Sequence, residues 1–132
     1  MAITALYAGL LGPVFLVLAV LVIRERRRSR IAIGHGDAGG LLRRARVHGN
    51  FAEYVPLVLV LMGLAEGLGT DRRVMYVIGL ALLSGRLIHA WGVSAERENF
   101  RFRVTGMTLT FAALAIASAT CLAAALQRGV GF

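Results

Sequence analysis

The residues best suited to chemistry stand in one stretch, Arg46-Val47-His48-Gly49-Asn50-Phe51-Ala52-Glu53-Tyr54-Val55-Pro56, which runs without a break into an apolar run over 57–64. At about 100° per residue, Arg46, Asn50, Glu53 and Tyr54 fall within an arc of about 100° on a helix, so they make one polar face. A carboxylate at the centre of a bilayer costs roughly 2.5 to 3.5 kcal/mol even on the lenient insertion scale. Glu53, a few residues inside an apolar helix, therefore requires a partner or a ligand. Further along, Arg86 and His89 stand three residues apart inside another apolar run and share a helix face. Facing a polar cavity beside Glu53 suits this pair better than snorkelling to the interface, because both are polar on the same side. Arg101 and Arg103 precede the last apolar run. A pocket that gathered these cations would take an anionic ligand.

The elements that must position these residues follow from composition. Of the 132 residues, 58% are hydrophobic, and they are collected into long runs rather than spread periodically. The runs predict an all-α integral membrane protein, a single four-helix transmembrane domain over 1–132 with helices at about 3–23, 41–67, 74–93 and 104–126. The first run is long enough, at about 30 Å, to cross the hydrocarbon, and its arginines follow it rather than precede it, which points to an uncleaved anchor. Pro13, Gly9 and Gly12 allow either a kink with a close neighbour or a merely irregular lipid-facing surface. The basic run Arg24-Glu25-Arg26-Arg27-Arg28-Ser29-Arg30 is expected to end helix one, and the glycine-rich 34–40 to form a loop that matches no phosphate-binding pattern. Pro56 removes a backbone donor next to Glu53, and a kink there would open the polar face. The short turn over 69–73 makes helices two and three an antiparallel hairpin, with Glu66 expected to reach water at its far end. Helix four is rich in small residues, which let helix backbones approach closely.

The formal charge of +8 comes from fifteen arginines, without a lysine, against seven acids. They crowd between the apolar runs, so membrane orientation accounts for them and no nucleic-acid partner is expected. With Arg86 set aside, eleven arginines (24, 26, 27, 28, 30, 43, 44, 46, 97, 101 and 103) lie on the side of the first and third loops, and three (72, 73 and 128) on the other. Both termini are then expected outside and those loops in the cytoplasm. One cytoplasmic mouth would gather Arg46, Asn50, Glu53, Tyr54, Arg86, His89, Arg101 and Arg103. Cys121 is the only cysteine, so no intramolecular disulfide or cysteine-based metal site is open to the chain, and no metal site is expected.

Three motifs, Arg46-x-x-x-Asn50-x-x-Glu53-Tyr54-x-Pro56, Gly85-Arg86-Leu87-x-His89 and Arg103-x-x-Gly106-Met107, together with the four runs and the long basic first loop, carry a resemblance over essentially the whole chain. The sequence resembles the MAPEG family, membrane-associated proteins in eicosanoid and glutathione metabolism, and within it the short bacterial branch. The resemblance implies a left-handed four-helix bundle in the bacterial inner membrane, assembled as a homotrimer with glutathione bound between subunits at the cytoplasmic side. It assigns Arg46, Asn50, Glu53 and Tyr54 to the glutathione-binding face of helix two and Arg86 with His89 to helix three. His48, at about 200° from Arg46 on the helix wheel, matches a position that reaches the neighbouring subunit's site. Arg24 or Arg27 matches the cation that the neighbour contributes. Eicosanoid-processing members carry tyrosine where this chain has Val93, and some where it has His89. The thiol-activating arginine of the family corresponds to Arg101 or Arg103.

The implied reaction needs a thiolate. A thiol of pKa about 8.5 is roughly 3% ionised at pH 7, and lowering that by two units gives roughly 75% for about 2.7 kcal/mol of differential stabilisation. One arginine about 4 Å away, at an effective dielectric near 20, is worth roughly 4 kcal/mol. Arg103, directly before Val104 at the expected helix start, is better placed for this than Arg101, which is expected in the screened loop. The remaining cations would hold the two carboxylates of glutathione and Glu53 its amino group, while an apolar second substrate or lipid arrives from the bilayer. The implied activity is a glutathione transferase or peroxidase acting on lipophilic electrophiles. The competing readings are a non-catalytic lipid-binding or scaffold protein and a small transporter.

Overall fold

A computed structural model describes residues 1–94 and 99–129 of the chain. Four helices, α1 (Ala2–Ser29), α2 (Gly39–Gly67), α3 (Arg72–Ser94) and α4 (Phe100–Gln127), follow one another. Each is long and apolar enough to cross a membrane. Among the described residues α2 packs on all three others, whereas α1 and α4 do not touch.

The helices are longer than the apolar runs that announced them. α1 was expected to stop at about residue 23, but the basic run stays helical to Ser29, because arginine is a good helix former and cations suit the negative end of the helix dipole. It stops at Arg30, whose left-handed φ of 55° turns its N–H back onto the carbonyls of Arg26 and Arg27. α4 begins at Phe100 rather than near 104, since Asn99 caps it by accepting from the N–H groups of Arg101 (3.1 Å) and Phe102 (3.3 Å). Arg101 therefore lies in the first turn of a helix and not in a loop. Arg97, counted with the third loop, lies outside the described residues. α2 reverses into α3 at Gly69, whose φ of 88° is open to glycine at little cost.

Each helix turns one stripe inward. On α2 it is Val47, Phe51, Val55, Val58, Met62 and Ala65, and on α3 it is Met75, Ile78 and Leu82, continued at the same spacing by Arg86, His89 and Val93. The two polar residues of α3 thus occupy core positions. α4 meets them with Gly106, Thr110, Ala113 and Ala117, small enough for a close crossing. A Cβ on Gly85 would stand 2.9 Å from the Gly106 carbonyl oxygen, and one on Gly106 would stand 2.5 Å from the His89 nitrogen. Gly79 similarly admits the Tyr7 ring of α1.

Glu66 does not reach water as the sequence suggested. It ends α2 beside the start of α1 and accepts from Ile3 N (2.9 Å), Thr4 N (2.8 Å) and Thr4 Oγ1 (2.7 Å). These are donors that the first turn of a helix cannot satisfy itself, so Glu66 caps α1 from a neighbouring helix. Loss of such a cap costs about 0.5 to 2 kcal/mol. Glu66→Ala is expected to shift the unfolding midpoint in a denaturing-detergent titration, followed by circular dichroism, by a corresponding amount; an unchanged midpoint would mean that the cap contributes nothing.

Candidate functional site

On α2 the polar face and the buried stripe point different ways. Their centres are about 110° apart on the helix wheel, and it is the stripe that the chain buries against its own helices. Arg46 and Glu53 are exposed and Asn50 is half-buried. Glu53 has no hydrogen bond or ion pair among the described residues, and its carboxylate stands on the outward side of a helix built to cross a membrane. It does not meet Arg86, as the sequence had suggested, because Phe51 and not Glu53 lies on the side of α2 that faces α3.

Arg86 is instead the largest fully buried side chain among the described residues, 1% exposed, and no carboxylate pairs with it among them. Its Nη2 lies 3.0 Å from His89 Nδ1, its Nη1 lies 3.4 Å from Thr110 Oγ1 and 3.9 Å from Met107 Sδ, and the guanidinium stands 5.8 Å above the Phe51 ring. Nε has no partner among the described residues. A guanidinium can only donate, so His89 Nδ1 accepts and the imidazole carries its proton on Nε2. Thr110 in turn donates to the Gly106 carbonyl at 2.8 Å, which leaves its lone pair for Arg86. A cation held by neutral acceptors keeps its field, and that field reaches the space next to His89.

That space is a cleft of about 410 Å³ bounded by α2, α3 and α4 and lined by Leu42, Arg43, Arg46, Asn50, His89, Val93 and Arg103. Asn50 Oδ1 is buried with no partner among the described residues, an arrangement that costs about 1 to 3 kcal/mol until a donor is supplied. The cleft therefore combines three arginines with one unsatisfied acceptor. It can bind a ligand that carries several acceptor groups and one donor.

Of the residues singled out from sequence, Arg46, Asn50, His89 and Arg103 line this cleft, and Arg86 lies behind His89. Tyr54 is half-buried with its ring edge-on to Phe111 of α4, centroids 5.3 Å apart, and does not line it. Arg101 is exposed and outside the lining. His48 stacks on Phe15 of its own α1 at 4.7 Å. Arg24 and Arg27 are exposed on the end of α1 and do not line the cleft of their own chain. Two residues had been passed over. Arg43 falls at about 60° on the α2 wheel, inside the polar arc, a signal hidden by its place in a run of basic residues. Thr110, four residues after Gly106, lies on the same stripe as the third motif but reads as one more small residue of helix four.

Two sequence comparisons relate the chain to known proteins. The inner membrane protein YecN of Escherichia coli, in each of two strains, is 37% identical to the chain over 112 residues, which is 85% of this chain and 84% of the relative. The sequence profile of the MAPEG family matches residues 4–123. That stretch takes in all three motifs and most of each of the four helices, and the chain belongs to the MAPEG family.

Proposed function

We propose that the protein is a membrane-bound, glutathione-dependent transferase or peroxidase acting on lipophilic electrophiles. The observation that carries this reading is the cleft, in which three arginines, His89 and an Asn50 carbonyl without a partner among the described residues converge. Glutathione offers two carboxylates, a thiol and an ammonium group, and the lining offers cations for the first and Asn50 Oδ1 for the last. Arg103 sits in the first turn of α4, where the positive end of the helix dipole adds to its own charge. It stabilises the thiolate. The electrophile is apolar, enters from the bilayer and is attacked by the sulfur. The arginine count and the inner-membrane relative favour a bacterial inner-membrane location with the cleft at the cytoplasmic side.

The outward-facing carboxylate of Glu53 supports assembly with further copies of the chain, because a neighbouring subunit would remove it from lipid and complete the cleft, and the family resemblance makes that assembly a homotrimer. The neighbour would supply a cation, Arg24 or Arg27, and His48 from beside α1. In this reading crosslinking in mild detergent stops at three subunits, whereas a chain that stays monomeric in lipid rules the assembly out.

Arg46→Ala and Asn50→Ala are expected to weaken glutathione binding about thirtyfold or more, the usual result of removing one partner of a buried charged hydrogen bond. Glu53→Ala does the same only if the site is completed across a subunit boundary. The control is Arg72→Ala, exposed at the opposite end of the bundle, since Glu66 is not neutral for the fold. Equal and small effects at all four positions by calorimetry would make the face structural.

The chemistry is read from the ultraviolet absorbance of bound thiolate against pH. Arg103→Leu is expected to abolish it at neutral pH and Arg101→Leu to keep it. The reverse pattern would transfer the role to Arg101. No thiolate in the parent protein would favour a non-catalytic lipid-binding or scaffold member, in keeping with Val93 where other members bear tyrosine.

A further inference from the structure

α1 and α3 leave between them an apolar groove of about 550 Å³, lined by Pro13, Val17 and Leu21 on one side and Leu87, Ala90 and Trp91 on the other. Trp91 is the only tryptophan of the chain and is 75% exposed. It also borders a second apolar depression of about 370 Å³, with Ile88 and Phe102. From Pro13 to Leu21 the groove follows about 12 Å of the α1 axis.

Because α1 continues to Ser29, the stripe that lines this groove runs on into arginine. With Leu21 at 0° on the helix wheel, Arg28 falls at about 340° and Arg24 at about 300°, whereas Arg27 falls at about 240° and Arg26 at about 140°. Two other charged groups of this segment, Arg26 and Glu25, are engaged elsewhere. Arg26 donates to the carbonyls of Ala32 (3.2 Å) and Gly34 (2.9 Å), and Glu25 is bound to Arg44 of α2 at 3.1 Å. Arg24 and Arg28 are exposed, with no hydrogen bond or ion pair among the described residues. The result is a wholly apolar channel along two membrane-crossing helices, closed at one end by two cations and flanked by an exposed indole. Arginine beside tryptophan is the composition of the headgroup level of a bilayer.

We propose that this groove and the two arginines at its end form a binding site for an anionic phospholipid. An acyl chain lies along α1 and α3 against Trp91, and the phosphate sits between the Arg24 and Arg28 guanidinium groups. Two cations without a carboxylate partner among the described residues favour a lipid of net negative charge over a zwitterionic one, whose own cation they repel. Arg24 then belongs to the groove, and Arg27, turned about 60° away, is the residue of that pair left for a neighbouring subunit's cleft. The site is otherwise independent of the glutathione reading and stands or falls without it.

The lone tryptophan reports on the groove. The full chain is reconstituted in phosphatidylcholine vesicles that contain a small fraction of either brominated phosphatidylglycerol or brominated phosphatidylcholine, since bromine quenches indole fluorescence on contact. The anionic lipid is expected to quench Trp91 with a relative binding constant about thirtyfold higher, the order of magnitude for a pair of headgroup-level arginines. Arg24→Gln with Arg28→Gln brings the ratio to about one while the circular dichroism spectrum is unchanged, and Arg27→Gln keeps the preference. Equal quenching by both lipids in the parent would overturn the proposal, as would an equal loss in Arg27→Gln, which would indicate only a general surface potential. Quenching by neither lipid would overturn it as well, by putting a second subunit on the groove.

Discussion

The closeness of α3 and α4 governs the rest of the molecule. Glycines stand at the contact on both helices, Gly85 and Gly92 on one and Gly106 on the other, and any Cβ there would meet backbone or near-backbone atoms at 2.5 to 2.9 Å. Lipid supplies no hydrophobic drive for helix association, so close van der Waals packing has to do this work, and only small residues permit it. The crossing brings Thr110 and Met107 within reach of Arg86, and it sets the start of α4, with Arg103, beside His89. A wider crossing would leave the Arg86 guanidinium in a void with no acceptor but the histidine next to it.

Arg86 is the costly residue of this arrangement. A buried charge is normally retained with an opposite charge, and here the nearest groups are an imidazole nitrogen, a hydroxyl, a thioether and a ring face. Neutral acceptors solvate the guanidinium without neutralising it. The positive potential is thereby held at the inner wall of the cleft, whose lining adds Arg43, Arg46 and Arg103. His89 is the contact between the two: its Nδ1 accepts from Arg86, which leaves the proton on Nε2, and the ring lines the cleft.

The polar face of α2 is the other unusual feature. Its Arg46 and Glu53 point away from the buried stripe of the same helix, and a chain alone in a bilayer would expose them to hydrocarbon or headgroups. The same helix meets α1 through the Arg44–Glu25 pair, and its last turn caps α1 through Glu66. Ionisable groups within the described helices thus divide into those that tie the bundle together and those turned to the cleft or to the outside.

The number and kind of the helices, the family and half of the cleft lining were legible in the sequence, for a physical reason. A membrane-crossing helix must be long and apolar, and any polar residue inside one stands out against its cost, as Arg46, Asn50, Arg86 and His89 did. Local spacing also grouped Arg46 with Asn50 and Arg86 with His89, as their places in and behind the cleft lining do. What spacing could not decide was which face meets which neighbour. Glu53 and Arg86 looked like partners because both are polar, yet Phe51 stands between α2 and α3, and only packing determines that. The caps at Asn99 and Arg30 extend α4 and α1 beyond their apolar runs, since a helix ends where its backbone groups find partners and not where hydrophobicity falls. Glu66 appeared to be a surface residue until the start of α1, over sixty residues earlier in the chain, was brought against it. Arg43 was lost among its basic neighbours, and Thr110 among small ones, because each acquires its role from a group on another helix, which only the tertiary structure brings near.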